Sequence, residues 1–208
     1  MPLISLRAFG RCGYRALRRR TFSKSVSRDQ GAVVFAGDSI TEQWSTLSKD
    51  FPGLKTVNRG ISGDTSGGLL LRFQQDVLSG RPSAVVILIG TNDLPANVPP
   101  RRIAACIRRM VEKTEKNCGI PVVVCHVLPR AREPGRFPET IRELNGLIDL
   151  LATSRKNVQV CDAFAPLADA DGSVRKDCSA DGLHLNAAGY GVLAEALRPF
   201  LPEPFSTM

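Results

Sequence analysis

The chain has 208 residues, 43% apolar and 23% charged, the profile of one globular domain of ordinary size. No apolar run approaches the ~20 residues that span a bilayer, which excludes a transmembrane segment. The formal charge of +8 is confined to residues 1–28, which carry eight cations and no acid; the rest balances 20 basic against 20 acidic residues, so the charge gives little support to nucleic-acid binding by the folded body.

Chain order begins with that basic segment, residues 1–30. Wound as a helix at about 100° per residue, it places Arg7, Arg11, Arg15 and Arg18 on one side and Leu6, Phe9 and Leu17 roughly opposite. Arg-rich, Ser-containing and acid-free, it has the composition of a mitochondrial transit peptide, and "RTFS" (20–23) resembles a matrix-protease site. A disordered basic tail is the competing reading. "RRRTFSK" also resembles a twin-arginine signal, but the apolar stretch that should follow is missing.

From residue 31 to 201, short apolar runs alternate with longer segments of helical spacing. The runs are 32–37, 54–58, 84–90, 121–128 and 157–162, several of them nearly continuous in Val and Ile, as strands covered on both faces should be. Between them, 66–78, 100–116 and 136–156 predict helices; in the last, Ile141, Leu144, Ile148 and Leu151 recur at helical intervals. Strand–helix alternation predicts a three-layer α/β/α sandwich around a five-stranded parallel sheet. Residues 202–208 form a Pro-containing tail.

Ligands in such sheets sit beyond the carboxyl ends of the strands, and residues able to do chemistry recur there. "GDSIT" (37–41) places Ser39 where a strand turns into a helix, as a nucleophile or as part of an ordinary cap with Asp38. "NRGISGDTSGG" (58–68) offers Gly60, where a backbone amide could approach a ligand, or simply a sharp turn. "GTND" (90–93) offers the Asn92 amide, or an Asx turn. "DGLHLN" (181–186) sets His184 three residues after Asp181, as an oriented base or a capped helix start. Each bland alternative is comfortable alone. Together the four sites supply a nucleophile, oxyanion donors and an oriented base at one end of one sheet, the equipment for acyl transfer.

The remaining polar features carry less. His126 ends a strand and reads as a core or supporting residue, and Arg130 and Arg132 read as solvated. "DADG" (169–172) lacks the ligands of a calcium loop and reads as a turn. The six cysteines show no metal-ligand spacing; Cys125 and Cys161 read as small buried hydrophobes, which suits a reducing compartment, and Cys178 has no assigned role.

"GDSIT", "NRGISGDT", "GTND" and "DGLHLN" resemble, in order, the four signature blocks of the SGNH (GDSL-type) hydrolases, from about residue 32 to about 200. "GISGDT", "VLPRAREPG", "IRELNGLI" and "DGLHLNAAGY" resemble in particular the branch of the platelet-activating-factor acetylhydrolase catalytic subunits. The resemblance implies a flavodoxin-like fold and a serine esterase that needs neither cofactor nor metal. It implies Ser39 as nucleophile, His184 as base and Asp181 as its orienting acid, with Ser39, Gly60 and Asn92 forming the oxyanion hole. The implied substrate is a small acyl ester, short-chain and acetyl first, with lysophospholipids and thioesters as alternatives. A homodimer is compatible with the branch. An intracellular location follows: mitochondrial matrix if the first segment is a transit peptide, cytoplasm otherwise. A ligand-binding module or a non-catalytic partner subunit on the same fold is the alternative of a different class. The glycines, though, form neither G-x-G-x-x-G nor a P-loop.

Overall fold

The computed structural model describes residues 6–117, 119–131, 137–153 and 155–202, with side chains from residue 13 onward. Cys118, the last four residues of "VLPRAREPG" (Arg132 among them) and residues 203–208 lie outside the described residues, as does the side chain of Cys12.

Five strands form the sheet: β1 (Val33–Gly37), β2 (Thr56–Gly60), β3 (Ala84–Leu88), β4 (Val122–Cys125) and β5 (Val158–Cys161). All neighbours are parallel, in the order β2-β1-β3-β4-β5. Side chains alternate between two cores because strand residues alternate between faces. Val34, Ala36, Val85, Ile87, Val122 and Val124 face α4 (Ser66–Asp76), α5 (Pro100–Asn117) and α6 (Pro138–Ala152). Val33, Phe35, Val86, Val123, Cys125 and Cys161 face α7 (Ala187–Leu197), with the short α2 (Ser39–Glu42) and α3 (Leu47–Asp50) at the β1 end. The three-layer α/β/α architecture is the one the alternation predicts, and Cys125 and Cys161 are buried in register on neighbouring strands.

Three boundaries differ from the sequence reading. β2 runs to Gly60 because it pairs with β1 from Val33↔Thr56 through Gly37↔Gly60. β4 stops at Cys125, its last paired residue, and Val127 gives both backbone groups to a side chain instead: its N–H donates to Asn145 Oδ1 (2.8 Å) and its carbonyl accepts from Nδ2 (3.1 Å). The basic segment is not a tail over Leu6–Ser25 but a 20-residue helix, α1, lying against α4. Its anchor is Phe22, 3% exposed, with the guanidinium carbons of Arg18, Arg59 and Arg72 at 4.9, 4.6 and 5.9 Å from the ring centroid.

β1 connects to β2 on one side and lies beside β3 on the other, so the strand order reverses between the carboxyl ends of β1 and β3. That crevice is where an open parallel sheet holds its ligand. The segments after β1 and β3 contain Ser39 and Asn92.

Candidate active site

β1 delivers the turn that carries Ser39, the candidate nucleophile. Asp38 caps α2, its Oδ1 accepting from the Ile40 amide (3.0 Å), so Ser39 is the first residue of the helix and 6% exposed. Cap and candidate nucleophile are thus neighbouring residues of one turn, and the two readings of "GDSIT" do not exclude each other. Gly37 has no room for a side chain, since a Cβ there would overlap Thr41 Oγ1 and the Leu88 carbonyl. Beneath the turn, the Tyr190 hydroxyl donates to the Ile40 carbonyl (2.8 Å), and its ring stacks on Trp44 at 5.2 Å between centroids.

The segment before α7 delivers His184, the candidate base. His184 Nε2 lies 3.0 Å from Ser39 Oγ, and His184 Nδ1 lies 2.8 Å from Asp181 Oδ2. A carboxylate only accepts, so Nδ1 carries the proton toward Asp181 and Nε2 accepts from the serine hydroxyl. Asp181 Oδ1 accepts from the amides of Leu183 (2.9 Å) and His184 (2.7 Å). Burial pushes the Asp181 carboxyl up, but these amides and the imidazole outweigh it and hold it well below the usual carboxylate range. His184 stands ahead of α7, whose cap is Asn186, accepting from the Gly189 amide (3.0 Å). The Ser179 hydroxyl donates to the His184 carbonyl (2.7 Å), and the Ala131 amide donates to Gly182 (2.8 Å), so the base loop is tied at both ends.

Of the candidate oxyanion residues, one is placed otherwise than the sequence reading expects. Asn92 Nδ2 donates to the Asp64 carbonyl (2.9 Å), which links the β3 end to the turn after β2. Gly60 has no amide to offer: its N–H donates to Asn58 Oδ1 (2.9 Å), and Asn58 Nδ2 donates in turn to the Thr41 carbonyl (2.5 Å). Gly60 is required for close approach instead, because a Cβ would overlap the Glu42 amide and lie 2.8 Å from the Asp38 carbonyl. Three residues on, Gly63 sits at φ +73° in a turn closed by Asp64 N–H to the Ile61 carbonyl (3.0 Å). Among the described residues, its own N–H has no hydrogen-bond partner.

Under these turns lies a layer of buried charge. Arg72, 3% exposed, donates through Nε to Asp64 Oδ2 (2.8 Å) and through Nη2 to the carbonyls of Gly37 (3.1 Å) and Arg59 (2.9 Å). It therefore joins the ends of β1 and β2 to the Asp64 turn. Asp93 accepts from the Ser66 amide (2.8 Å) and hydroxyl (2.7 Å) at the start of α4. Burial, partly offset by the Ile40 amide and reinforced by Asp64 and Asp93, pushes the Asp38 carboxyl up to about 7. Sequence reading missed Arg72, although its spacing with Leu69, Phe73 and Asp76 marks an arginine on the buried stripe of α4.

Two other residues land differently. Arg130 is not solvated: it is 9% exposed, donates to the Thr91 carbonyl (3.1 Å) and lies over the Phe137 ring at 4.8 Å. It supports the Asn92 segment from the loop after β4. His126, held between Asp149 (2.8 Å) and Asp162 (3.1 Å), lines a separate cavity of about 540 Å³ whose lining includes no residue of the Ser39–His184–Asp181 chain. "DADG" is a turn, closed by Gly172 N–H to the Asp169 carbonyl (2.9 Å). Among the described residues no cluster of His, Cys, Asp and Glu could hold a metal, and no helix is long and apolar enough to cross a membrane.

Comparison with known proteins shows the family. Residues 35–192 match the GDSL-like lipase/acylhydrolase family. The chain is similar to the human platelet-activating factor acetylhydrolase IB subunit alpha2, 26% identical over 176 residues that cover 82% of this chain and 76% of the relative. It superposes on a structure from Streptococcus pneumonia described as a platelet activating factor (TM-score 0.84, 25% identity, 92% of this chain and 94% of the other). It also superposes on a GDSL-like lipase from Bacteroides thetaiotaomicron (TM-score 0.79, 28% identity, 87% and 95%). The match covers all four sequence blocks and both sides of the crevice, and the chain belongs to the GDSL-like lipase/acylhydrolase family, hydrolases of ester bonds.

Proposed function

We propose that this chain is a serine esterase for short acyl esters, acetyl first, working through Ser39, His184 and Asp181. The observation that carries the reading is the unbroken hydrogen-bond chain from Ser39 Oγ through the imidazole to a carboxylate locked by two amides. Ser39 Oγ attacks the acyl carbonyl as its proton passes to His184 Nε2, and Asp181 stabilises the imidazolium that forms. The tetrahedral intermediate collapses, the imidazolium protonates the departing alcohol, and the acyl group remains on Ser39. Water then attacks with His184 as base, and release of the acid returns the proton to Ser39.

The oxyanion donors in this reading are the Ser39 amide, the second N–H of the Asn92 side chain and the Gly63 amide. Gly63 replaces Gly60 because it has a free N–H and Gly60 has none. The acetyl preference draws support from the similarity to an acetylhydrolase subunit. Hydrolysis of p-nitrophenyl acetate, butyrate and octanoate by the full chain, beside Ser39→Ala, tests the reading. Ser39-dependent turnover fastest on acetate is expected. A preference for octanoate would move the substrate to lysophospholipids or long-chain thioesters, and absence of Ser39-dependent turnover on all three would favour a binding or partner protein.

A further inference from the structure

We propose that α1 is a positioning element for the oxyanion turn, with Arg15 and Arg18 holding residues 60–64 in their catalytic arrangement. The inference rests on the esterase reading above. Two of the basic residues of α1 reach this turn directly. Arg18 Nη2 donates to the Gly60 carbonyl (3.1 Å), and Arg15 Nη2 donates to the Gly63 carbonyl. These two carbonyls bracket the turn that presents the Gly63 amide.

The same two residues act on the turn a second way, through acids. Arg18 Nε lies 2.9 Å from Glu42 Oε1, and Tyr14 donates to that same oxygen. The other oxygen, Glu42 Oε2, accepts from the Ser62 amide (2.5 Å). Arg15 approaches Asp64, whose carbonyl holds Asn92, at 4.0 Å. The backbone of Gly60, Ser62 and Gly63 is therefore gripped by α1 directly or through Glu42, which belongs to the nucleophile helix.

The grip has a fixed base. Phe22 is buried among three guanidinium groups, and Arg19 pairs with Asp76 (3.1 Å) and donates to Gln75 (2.9 Å) on α4. Positions 15, 18, 19 and 22 share one face at helical spacing, so anchoring Phe22 and Arg19 delivers Arg18 and Arg15 to the turn one helical step further on. Gly63 is the reason the grip matters. Its left-handed φ of +73° is set within a four-residue turn, and its amide can serve only while that turn is held. A displacement on the order of 1 Å at a reacting geometry costs about 10²-fold in rate.

The test uses the full chain with p-nitrophenyl acetate. Arg15→Ala, Arg18→Ala and the double variant are compared with wild type, with Ser39→Ala and with Arg20→Ala, an exposed α1 arginine that controls for lost charge. Expected is a loss in kcat of about tenfold or more in the double variant, with KM within about threefold. Arg20→Ala should leave turnover unchanged, and Arg15→Lys and Arg18→Lys should recover part of the loss. A structural role alone would lower the melting temperature while leaving kcat per folded molecule intact. If the double variant does not fold, the single alanine variants are judged by the same kcat criterion. Wild-type kcat in these variants, with Ser39→Ala inactive, overturns the role of α1 alone; turnover surviving Ser39→Ala overturns the esterase reading instead.

Discussion

Asp38→Asn tests the buried carboxyl beside Ser39 through its pH signature. Asp38 is 1% exposed, and burial pushes its carboxyl from 3.8 up to about 7. The folded protein therefore keeps a proton on Asp38 up to about pH 7 that the unfolded chain releases near 3.8. Between those values the native state binds one more proton than the unfolded state, so Asp38 makes stability fall as pH rises and imposes its full penalty above pH 7. A gap of about 3 pH units corresponds to about 4 kcal/mol, an upper bound because local relaxation reduces it. Asparagine keeps the Oδ1 acceptor for the Ile40 amide and removes the titration. Groups that titrate in both proteins without acting on Asp38, such as Asp181, lowered by its amides, cancel in the difference. The assay is urea unfolding of both proteins at pH 5, 6, 7 and 8. The stability of the variant relative to wild type should increase by about 2–3 kcal/mol from pH 5 to pH 8. A difference that stays constant to within about 0.5 kcal/mol across that range, against the slope that linkage requires, would refute the assignment.

Three further substitutions separate the parts of the site. Asn92→Ala removes the donor that spans to the Asp64 turn and should lower kcat by ~10²–10³ with the fold retained, read by steady-state kinetics and circular dichroism. Gly60→Ala forces a Cβ into the backbone of α2, so it should destabilise by about 1–3 kcal/mol in a urea melt; an unchanged midpoint with reduced kcat would instead return Gly60 to the oxyanion hole. Tyr190→Phe deletes the donor to the buried Ile40 carbonyl and should cost about 1–3 kcal/mol of stability, measured the same way.

What was legible in the sequence follows from how local each feature is. The strands and helices that line the two cores announce themselves because both faces of the sheet are covered, leaving runs such as "AVVILIG" with no polar interruption. Ser39, Asn92, Asp181 and His184 are legible because each lies in a short block after a strand or before a helix, and sheet topology alone then brings the blocks together. The choice between Gly60 and Gly63 is not legible in that way. Both glycines stand in one block, and only the Asn58 side chain, which engages the Gly60 amide, separates them. α1 hides for a different reason. Its arginines look solvated in a sequence with no acids nearby, whereas their partners Glu42, Asp64 and Asp76 come from residues 24 to 57 positions away. Arg130 repeats the lesson, since the Thr91 carbonyl and the Phe137 ring that bury it lie on other segments.

The central claim is that the acyl group passes through Ser39. The most direct measurement is acid quenching of the protein during p-nitrophenyl acetate turnover, followed by peptide mass spectrometry. The expected result is acetylation of the peptide containing Ser39, absent from Ser39→Ala and decaying as the substrate is exhausted. Turnover that proceeds at the wild-type rate in Ser39→Ala, with no acetyl group on that peptide at any time, would contradict it.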